Sequence, residues 1–260
     1  MVNVRPKNLW GKDKIIFPLD VPNIQEAWKA VDLLGPYVGP FKAGLELIYS
    51  TIAQAIVGDE ECAFSALKLA RNLAHKIGPN LFLDVKLADI PNTVGKASLA
   101  ISRLGVKYFN VHASAGIPAI KAAVENKGQS GVLVVTVLTS LNAEQCKSIF
   151  GDEPEHKVSD FAAMILEAGA DGVICSPKEL KLLRANANFD DLTIVTPGVR
   201  PEWAPADDQK RVMTPGEAIK AGADYLVIGR PIAKAKDPVE AAKRIADEID
   251  KALISQMHLD

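Results

Sequence analysis

Cysteine is scarce in this chain, and the three cysteines present, Cys62, Cys146 and Cys175, lie far apart. Their odd number and wide spacing argue against a disulfide framework and against a structural zinc site. They are typical of small buried apolar residues in a reduced protein, and they indicate a cytoplasmic location.

Long apolar runs and blocks of basic charge are also missing. No run approaches the roughly 20 apolar residues of a membrane-spanning helix, and residues 1–10, MVNVRPKNLW, lack the apolar core of a signal peptide. The 30 basic and 32 acidic residues leave a formal net charge of −2. We therefore expect neither a membrane nor a nucleic acid as a partner.

The chain has a globular composition, with 48% hydrophobic and 24% charged residues in 260 positions. Short apolar runs alternate with helical patterns throughout, which predicts a parallel sheet covered by helices. Eight such strand–helix units predict an α/β fold, namely a (β/α)₈ TIM barrel that forms a single domain. The alternative is a doubly wound open sheet, which usually shows a glycine-rich fingerprint after its first strand, whereas FPLDVPN has none.

The predicted helices have recognisable start and stop signals. Asn23 is a candidate cap, and Thr214 with Glu217 has the spacing of a capping box. Residues 45–77 are helical with a break at Gly58 and Asp59, so that about 57–77 reads as an extra insert. The predicted strands lie near residues 15–19, 41, 81–86, 106–111, 132–138, 172–175, 192–195 and 225–228.

The segment LFLDVKLADIPNT, residues 81–93, carries the densest charge at a strand end. Strand alternation places Asp84 and Lys86 on one face, and Asp89 follows just beyond the strand. Charges at the mouth of an apolar strand are expensive to desolvate. The pattern therefore indicates either chemistry or an ordinary ion pair that caps the strand.

Polar residues follow the other predicted strands too, and the active site of a barrel lies at the C-terminal strand ends. The turns after strands seven and eight commonly bind phosphate, and Gly198 and Gly229 would let N–H groups approach an anion. Arg230 can fork onto phosphate oxygens. These polar strand ends are Asp20, Lys42, Asp84 with Lys86, His112, Thr139 with Ser140, Ser176, residues 196–200, and Gly229 with Arg230.

Taken together, eight segments resemble the orotidine 5′-phosphate decarboxylase family in order and spacing, from about Ile15 to Ala242. They are FPLD (17–20), FKAG (41–44), FLDVKLADIPNT (82–93), FNVHAS (109–114), VTVLTS (135–140), VTPGVRP (195–201), DQKRVMTP (208–215) and YLVIGRPI (225–232). The chain departs from the family in its longer helical insert, in Ala43, where valine is commoner, and in residues 203–208.

The resemblance implies decarboxylation of orotidine 5′-phosphate to uridine 5′-phosphate, without metal or cofactor. It implies that Lys86 protonates C6 of the pyrimidine, that Asp84 lies beside the substrate carboxylate, and that Lys42 and Asp89 complete a charged array. It gives His112 no clear role, and a packed barrel residue is expected. The remaining implied contacts are Asp20 and Lys42 at the ribose, Thr139 and Ser140 at the pyrimidine, Arg200, Gln209, Gly229 and Arg230 at the phosphate, and Asp89, Ile90 and Thr93 at the neighbouring site of a homodimer.

Two other functions are compatible with a barrel of this kind. Metal-dependent sugar-phosphate decarboxylases and aldolases share the Asp-x-Lys-x-x-Asp segment, but they have a glutamate where this chain has Lys42, and a cation there opposes metal binding. A non-catalytic nucleotide-binding barrel is the second alternative. A mere binder has no need of a desolvated lysine between two aspartates.

Overall fold

Eight parallel strands close into a barrel in sequence order, with the first strand paired to the last. The computed structural model describes residues 10–204 and 213–257. The predicted single-domain (β/α)₈ barrel is confirmed, and the open sheet is excluded. The strands are β1 Ile15–Pro18, β2 Phe41–Ala43, β3 Leu81–Leu87, β4 Tyr108–His112, β5 Gly131–Val135, β6 Gly172–Ile174, β7 Thr193–Pro197 and β8 Tyr225–Val227.

Helices follow the strands and cover the outside of the barrel. The cap predicted at Asn23 is present, since its side chain accepts a hydrogen bond from the Glu26 N–H at 2.9 Å. The capping box of Thr214 and Glu217 is also present. The helices are α1 Ile24–Leu34, α2 Leu45–Val57, α3 Glu60–Ile77, α4 Pro91–Ser102, α5 Ile117–Glu125, α6 Ala143–Phe150, α7 Pro154–Ala168, α8 Leu180–Arg184, α9 Pro215–Lys220, α10 Arg230–Ala233 and α11 Pro238–Met257.

Two helices occupy the connection between β2 and β3, with the break where the sequence predicts it. The Asp59 side chain caps α3 by accepting a hydrogen bond from the Cys62 N–H at 2.8 Å. α3 buries Ala66, Leu73 and Ile77 and packs on α1 and α2. That this insert is longer than in compact relatives stays a prediction.

The structure differs from the predicted elements in places. The sequence pattern predicts neither α6 nor α10. α6 has only eight residues and buries Cys146 fully, so its apolar pattern, Cys146 with Ile149 and Phe150, is too short to predict a helix. β5 ends at Val135, which places Thr139 and Ser140 in a turn beyond the strand.

The barrel interior is closed by a layer of apolar side chains. Ile16, Phe82, Leu133 and Val195 come from β1, β3, β5 and β7, and they pack with Tyr225 of β8. Such layers from alternate strands fill the barrels of this architecture. Tyr108 of β4 also packs against this layer. Because strand side chains alternate, Asp84, two positions beyond Phe82, and Asn110, two positions beyond Tyr108, point inward above it.

The helices pack around the barrel through a larger apolar cluster, which lies between them and the strands. Within the described ranges, no helix combines the length and apolar character needed to cross a membrane.

Candidate active site

Four charged side chains meet at the C-terminal end of the barrel: Lys42 from β2, Asp84 and Lys86 from β3, and Asp20, which lies two residues beyond β1. The Lys42 Nζ lies 2.8 Å from Asp84 Oδ2 and 3.4 Å from Asp20 Oδ1. The Lys86 Nζ lies 2.6 Å from Asp84 Oδ1. Each oxygen of the Asp84 carboxylate therefore accepts a hydrogen bond from a different lysine.

Burial and charge act in opposite directions on Asp84, which is only 7% exposed. Burial raises the pKa of Asp84, but Lys42 and Lys86 together lower it by more, so the pKa lies below its ordinary value. Asp84 is consequently ionised at neutral pH. The Lys86 side chain is 33% exposed and the Lys42 side chain 11%, so Lys86 is the more accessible ammonium of the pair.

A bulge in β3 sets the direction of Lys86. Lys86 has a φ of +49°, in the left-handed region. No other non-glycine residue among those described has a positive φ. Leu83 pairs with Phe109 and Leu87 with Val111, so residues 84–86 lie opposite Asn110 alone. Asp84 and Lys86 meet as predicted, but regular strand alternation does not fully explain why. The β-bulge also changes the direction of the Lys86 side chain.

Asn110 belongs to this cluster but is not among the predicted site residues. It is fully buried in β4, its Nδ2 donates to Asp84 Oδ1 at 2.6 Å, and its Oδ1 accepts from the Lys86 N–H at 2.7 Å. A signal was available: an amide between Phe109 and Val111, inside an apolar strand, requires buried partners.

Asp89, Ile90 and Thr93 are exposed and lie apart from this cluster. The Asp89 Oδ1 accepts a hydrogen bond from the Ile90 N–H at 2.7 Å. In the described part of the chain Asp89 makes no ion pair within 4.0 Å. α4 begins after Ile90 without a side-chain cap, so Asp89 is not the cap of its own helix.

The two predicted phosphate loops differ in why they contain glycine. Gly198, after β7, has a φ of +78°, which glycine adopts most easily. Gly229, before α10, has a φ of −103°, so its backbone does not demand glycine. A Cβ at Gly229 would lie 2.7 Å from Pro18 Cγ, because this loop packs directly against β1.

Arg230 is exposed and is the first residue of α10. The Arg200 N–H donates to the Met213 carbonyl at 3.1 Å, which joins the two ends of segment 201–212. Arg200 and Arg230 thus lie in the loops that follow β7 and β8. Gln209, the fourth predicted phosphate contact, lies outside the described residues.

A groove runs along the loops after β5, β6 and β7. Thr139, Ser176, Gly198 and Met213 contribute to its lining. Ser140 is exposed in the same turn as Thr139. Of the predicted pyrimidine and phosphate contacts, Thr139 lines this groove, whereas Arg200, Gly229 and Arg230 are not part of its lining.

His112 ends β4 and is half-buried. Burial, and then the charge of Lys86, lower the pKa of His112, so its imidazole is neutral at pH 7. Its Nδ1 is buried without a hydrogen-bond partner among the described residues. This environment fits the packed barrel residue that was expected, although the side chain is not fully enclosed.

No group of three His, Cys, Asp or Glu side chains suited to a metal ion occurs in residues 10–204 and 213–257. The space between Asp20 and Asp84 is occupied by the Lys42 ammonium. The Lys42 ammonium therefore lies where a cation bridging the two carboxylates would lie.

Comparison with known proteins gives consistent matches. Residues 13–245 match the model of the orotidine 5′-phosphate decarboxylase / HUMPS family. The orotidine 5′-phosphate decarboxylase of Geotalea daltonii is 47% identical over 247 residues, covering 92% of this chain and 97% of that protein. The crystal structure of orotidine 5′-phosphate decarboxylase from Lactobacillus acidophilus matches with a TM-score of 0.73 at 32% identity, covering 92% of this chain and 99% of that chain.

Proposed function

Since the chain belongs to the orotidine 5′-phosphate decarboxylase / HUMPS family and converts orotidine 5′-phosphate to uridine 5′-phosphate in pyrimidine biosynthesis, we propose that its own lysines carry out the reaction without metal or cofactor. The observation that carries the proposal is the buried Asp84 carboxylate held between Lys42 and Lys86. This arrangement fixes one ammonium at the mouth of the barrel.

The chemistry explains why an ammonium is needed there. When the bond between C6 and the carboxylate breaks, CO₂ leaves and the electron pair stays on C6 in the plane of the ring. The ring π system cannot delocalise an in-plane pair. The Lys86 ammonium stabilises the developing charge and then transfers a proton from Nζ to C6. Lys86 regains its proton from solvent after the product leaves.

Asp84 has two functions in this mechanism. It holds the Lys86 ammonium in place through an ion pair with 2.6 Å between Nζ and Oδ1. It also lies beside the substrate carboxylate, and the repulsion between the two carboxylates is relieved as CO₂ leaves. The low pKa of Asp84 supports both functions, since each requires the ionised form.

Residues around the cluster bind the rest of the nucleotide. Binding energy from the remote phosphate is expressed in the transition state and favours closure of the site. The proposed contacts are Asp20 and Lys42 at the ribose, Thr139 and Ser140 at the pyrimidine, and Arg200, Gln209, Gly229 and Arg230 at the phosphate.

The active unit is a homodimer in which each subunit completes the other's site. Asp89 and Thr93 are exposed, and Ile90 between them is a 64% exposed apolar side chain that a partner subunit could cover. A two-fold contact is self-complementary, so each subunit would donate Asp89, Ile90 and Thr93 and receive the same three.

The enzyme works as one domain over residues 1–260 in the reducing cytoplasm. All three cysteines lie within the described residues as free thiols, and Cys146 and Cys175 are buried. Burial raises the pKa of both buried thiols, which keeps them protonated and unreactive.

A metal requirement separates this function from that of the metal-dependent sugar-phosphate enzymes. Purified protein should decarboxylate orotidine 5′-phosphate at the same rate in excess chelator as in added magnesium. The rate is measured as the loss of absorbance of the substrate. The reason is that Lys42 occupies the position between Asp20 and Asp84. A strict magnesium requirement, or turnover of a sugar phosphate in place of the nucleotide, would contradict the proposal.

A further inference from the structure

Asn110 is the residue that faces the bulge of β3. The regular pairing of β3 with β4 stops at Leu83 and resumes at Leu87. Between these points, three residues of β3 face one residue of β4, and the Asn110 side chain takes up one of the backbone donors of β3. Its Oδ1 accepts the Lys86 N–H at 2.7 Å, which would otherwise be left without this bond inside the barrel.

The Lys86 backbone is in a conformation that its surroundings must hold. A left-handed lysine within a strand is strained, and such a residue persists only where neighbouring groups fix it. On the β4 side, the group that fixes this backbone is Asn110, whose Oδ1 accepts a hydrogen bond from the Lys86 N–H. The direction in which the lysine side chain leaves the strand therefore depends on Asn110.

The other half of the amide acts on the carboxylate. Asn110 Nδ2 and Lys86 Nζ each lie 2.6 Å from the same oxygen, Asp84 Oδ1. The donor from Asn110 fixes the plane of the carboxylate, and this plane determines where the Lys86 ammonium is held. An amide is suited to this place because it donates and accepts at once, which neither a carboxylate nor an apolar side chain can do.

We propose that Asn110 is a positioning residue for decarboxylation, which holds the bulged backbone of Lys86 and the carboxylate of Asp84 with one amide group. The inference rests on the proposed role of Lys86. Asn110 is fully buried within the barrel wall, so it acts through these two neighbours rather than on the substrate.

The first test is Asn110→Leu, which keeps the approximate shape and removes both hydrogen bonds. We expect kcat to fall by about 10²-fold, the loss that a displacement of roughly 1 Å can cause. The KM for orotidine 5′-phosphate and the affinity for uridine 5′-phosphate should stay nearly constant, because the binding groups are elsewhere.

The second test is Asn110→Asp, which preserves size and the acceptor for the Lys86 N–H. It replaces the donor to Asp84 with a second carboxylate, and two carboxylates this close share a proton. The acid limb of the pH profile of kcat should therefore move to higher pH. A residue that merely supported the fold would not shift that limb, and this variant decides the matter if Asn110→Leu fails to fold.

Thr136→Val is the matched control. Thr136 is also fully buried, and its Oγ1 donates to the Ile174 carbonyl at 2.9 Å, so the change removes a strand-bridging hydrogen bond away from Asp84 and Lys86. It should lower the Tm and leave kcat and the pH profile unchanged.

Wild-type kcat in Asn110→Leu, or an unmoved acid limb in Asn110→Asp, would overturn the positioning role. If Lys86→Ala is inactive in the same assay while the Asn110 variants behave like the wild type, only this inference fails. Normal turnover by Lys86→Ala would instead remove the proposed function on which it rests.

Discussion

Asp84 connects the reacting groups at the level of single residues. Its two oxygens accept hydrogen bonds from Lys42, Lys86 and Asn110, and its pKa lies below the ordinary value despite burial. A carboxylate in this state cannot rotate or take up a proton without disturbing a lysine. The positions of the two ammonium groups are thus determined by one side chain.

Arg230→Ala tests the phosphate contact. Hydrogen bonds to charged groups contribute about 1.5–3 kcal/mol, so kcat/KM for orotidine 5′-phosphate should fall by roughly 10- to 10²-fold. The slow turnover of orotidine, which lacks the phosphate, should change little. Lys234→Ala, an exposed cation just beyond α10, removes the same charge and should have a much smaller effect. Equal losses for both substrates would show that Arg230 stabilises the structure of the barrel and does not bind the phosphate.

Single residues also show what can be read from the sequence and what cannot. Asp20, Lys42, Asp84 and Lys86 are recognisable because charges at apolar strand ends are costly, and the structure brings all four together. Asn110 carries no charge, and its partners depend on a register shift that no local pattern reveals.

At the level of elements, the loop after β8 is constrained by close packing against the neighbouring strand β1. Gly229 lies so close to β1 that no side chain fits between the loop and Pro18. Elements with strong signals are predicted well, such as α1 with its Asn23 cap. α6 is not predicted because its eight residues give too short an apolar pattern, although Phe150 packs edge-on against Phe161 of α7.

Gly229→Ala tests this packing. The added Cβ would lie 2.7 Å from the Pro18 Cγ, which belongs to a rigid ring, so the loop must move. Overpacking costs about 1–3 kcal/mol, and we expect it to appear as a raised KM for orotidine 5′-phosphate. Turnover of orotidine measured in parallel should be nearly normal. An unchanged KM would mean that the position of this loop does not matter for the phosphate.

At the level of the whole molecule, the closed barrel separates an apolar interior layer from a charged mouth, and alternation of strands and helices suffices to predict that closure. Assembly is different. Exposed residues such as Ile90 and Asp89 give the same sequence signal at a free surface and at an interface, so no pattern in the chain predicts the contact between subunits.

Subunit complementation tests the shared site. Lys86→Ala and Asp89→Ala should each be inactive as homodimers. After subunit exchange, one site of a mixed dimer carries both defects and the other neither, so activity should return in part. Heterodimers shown by mass measurement to form, yet without activity, would place Asp89 in its own subunit's site or outside any site.

The role of Lys86 is tested most directly by the rate of Lys86→Cys before and after alkylation with 2-bromoethylamine, which restores an ammonium at nearly the original distance. Wild-type protein treated in parallel controls for modification of the exposed Cys62. We expect the variant to lose more than about 10⁴-fold in kcat/KM and to recover substantially on aminoethylation, whereas alkylation with neutral iodoacetamide restores nothing. Near-normal turnover by the unmodified variant, or equal recovery with the neutral reagent, would contradict the mechanism.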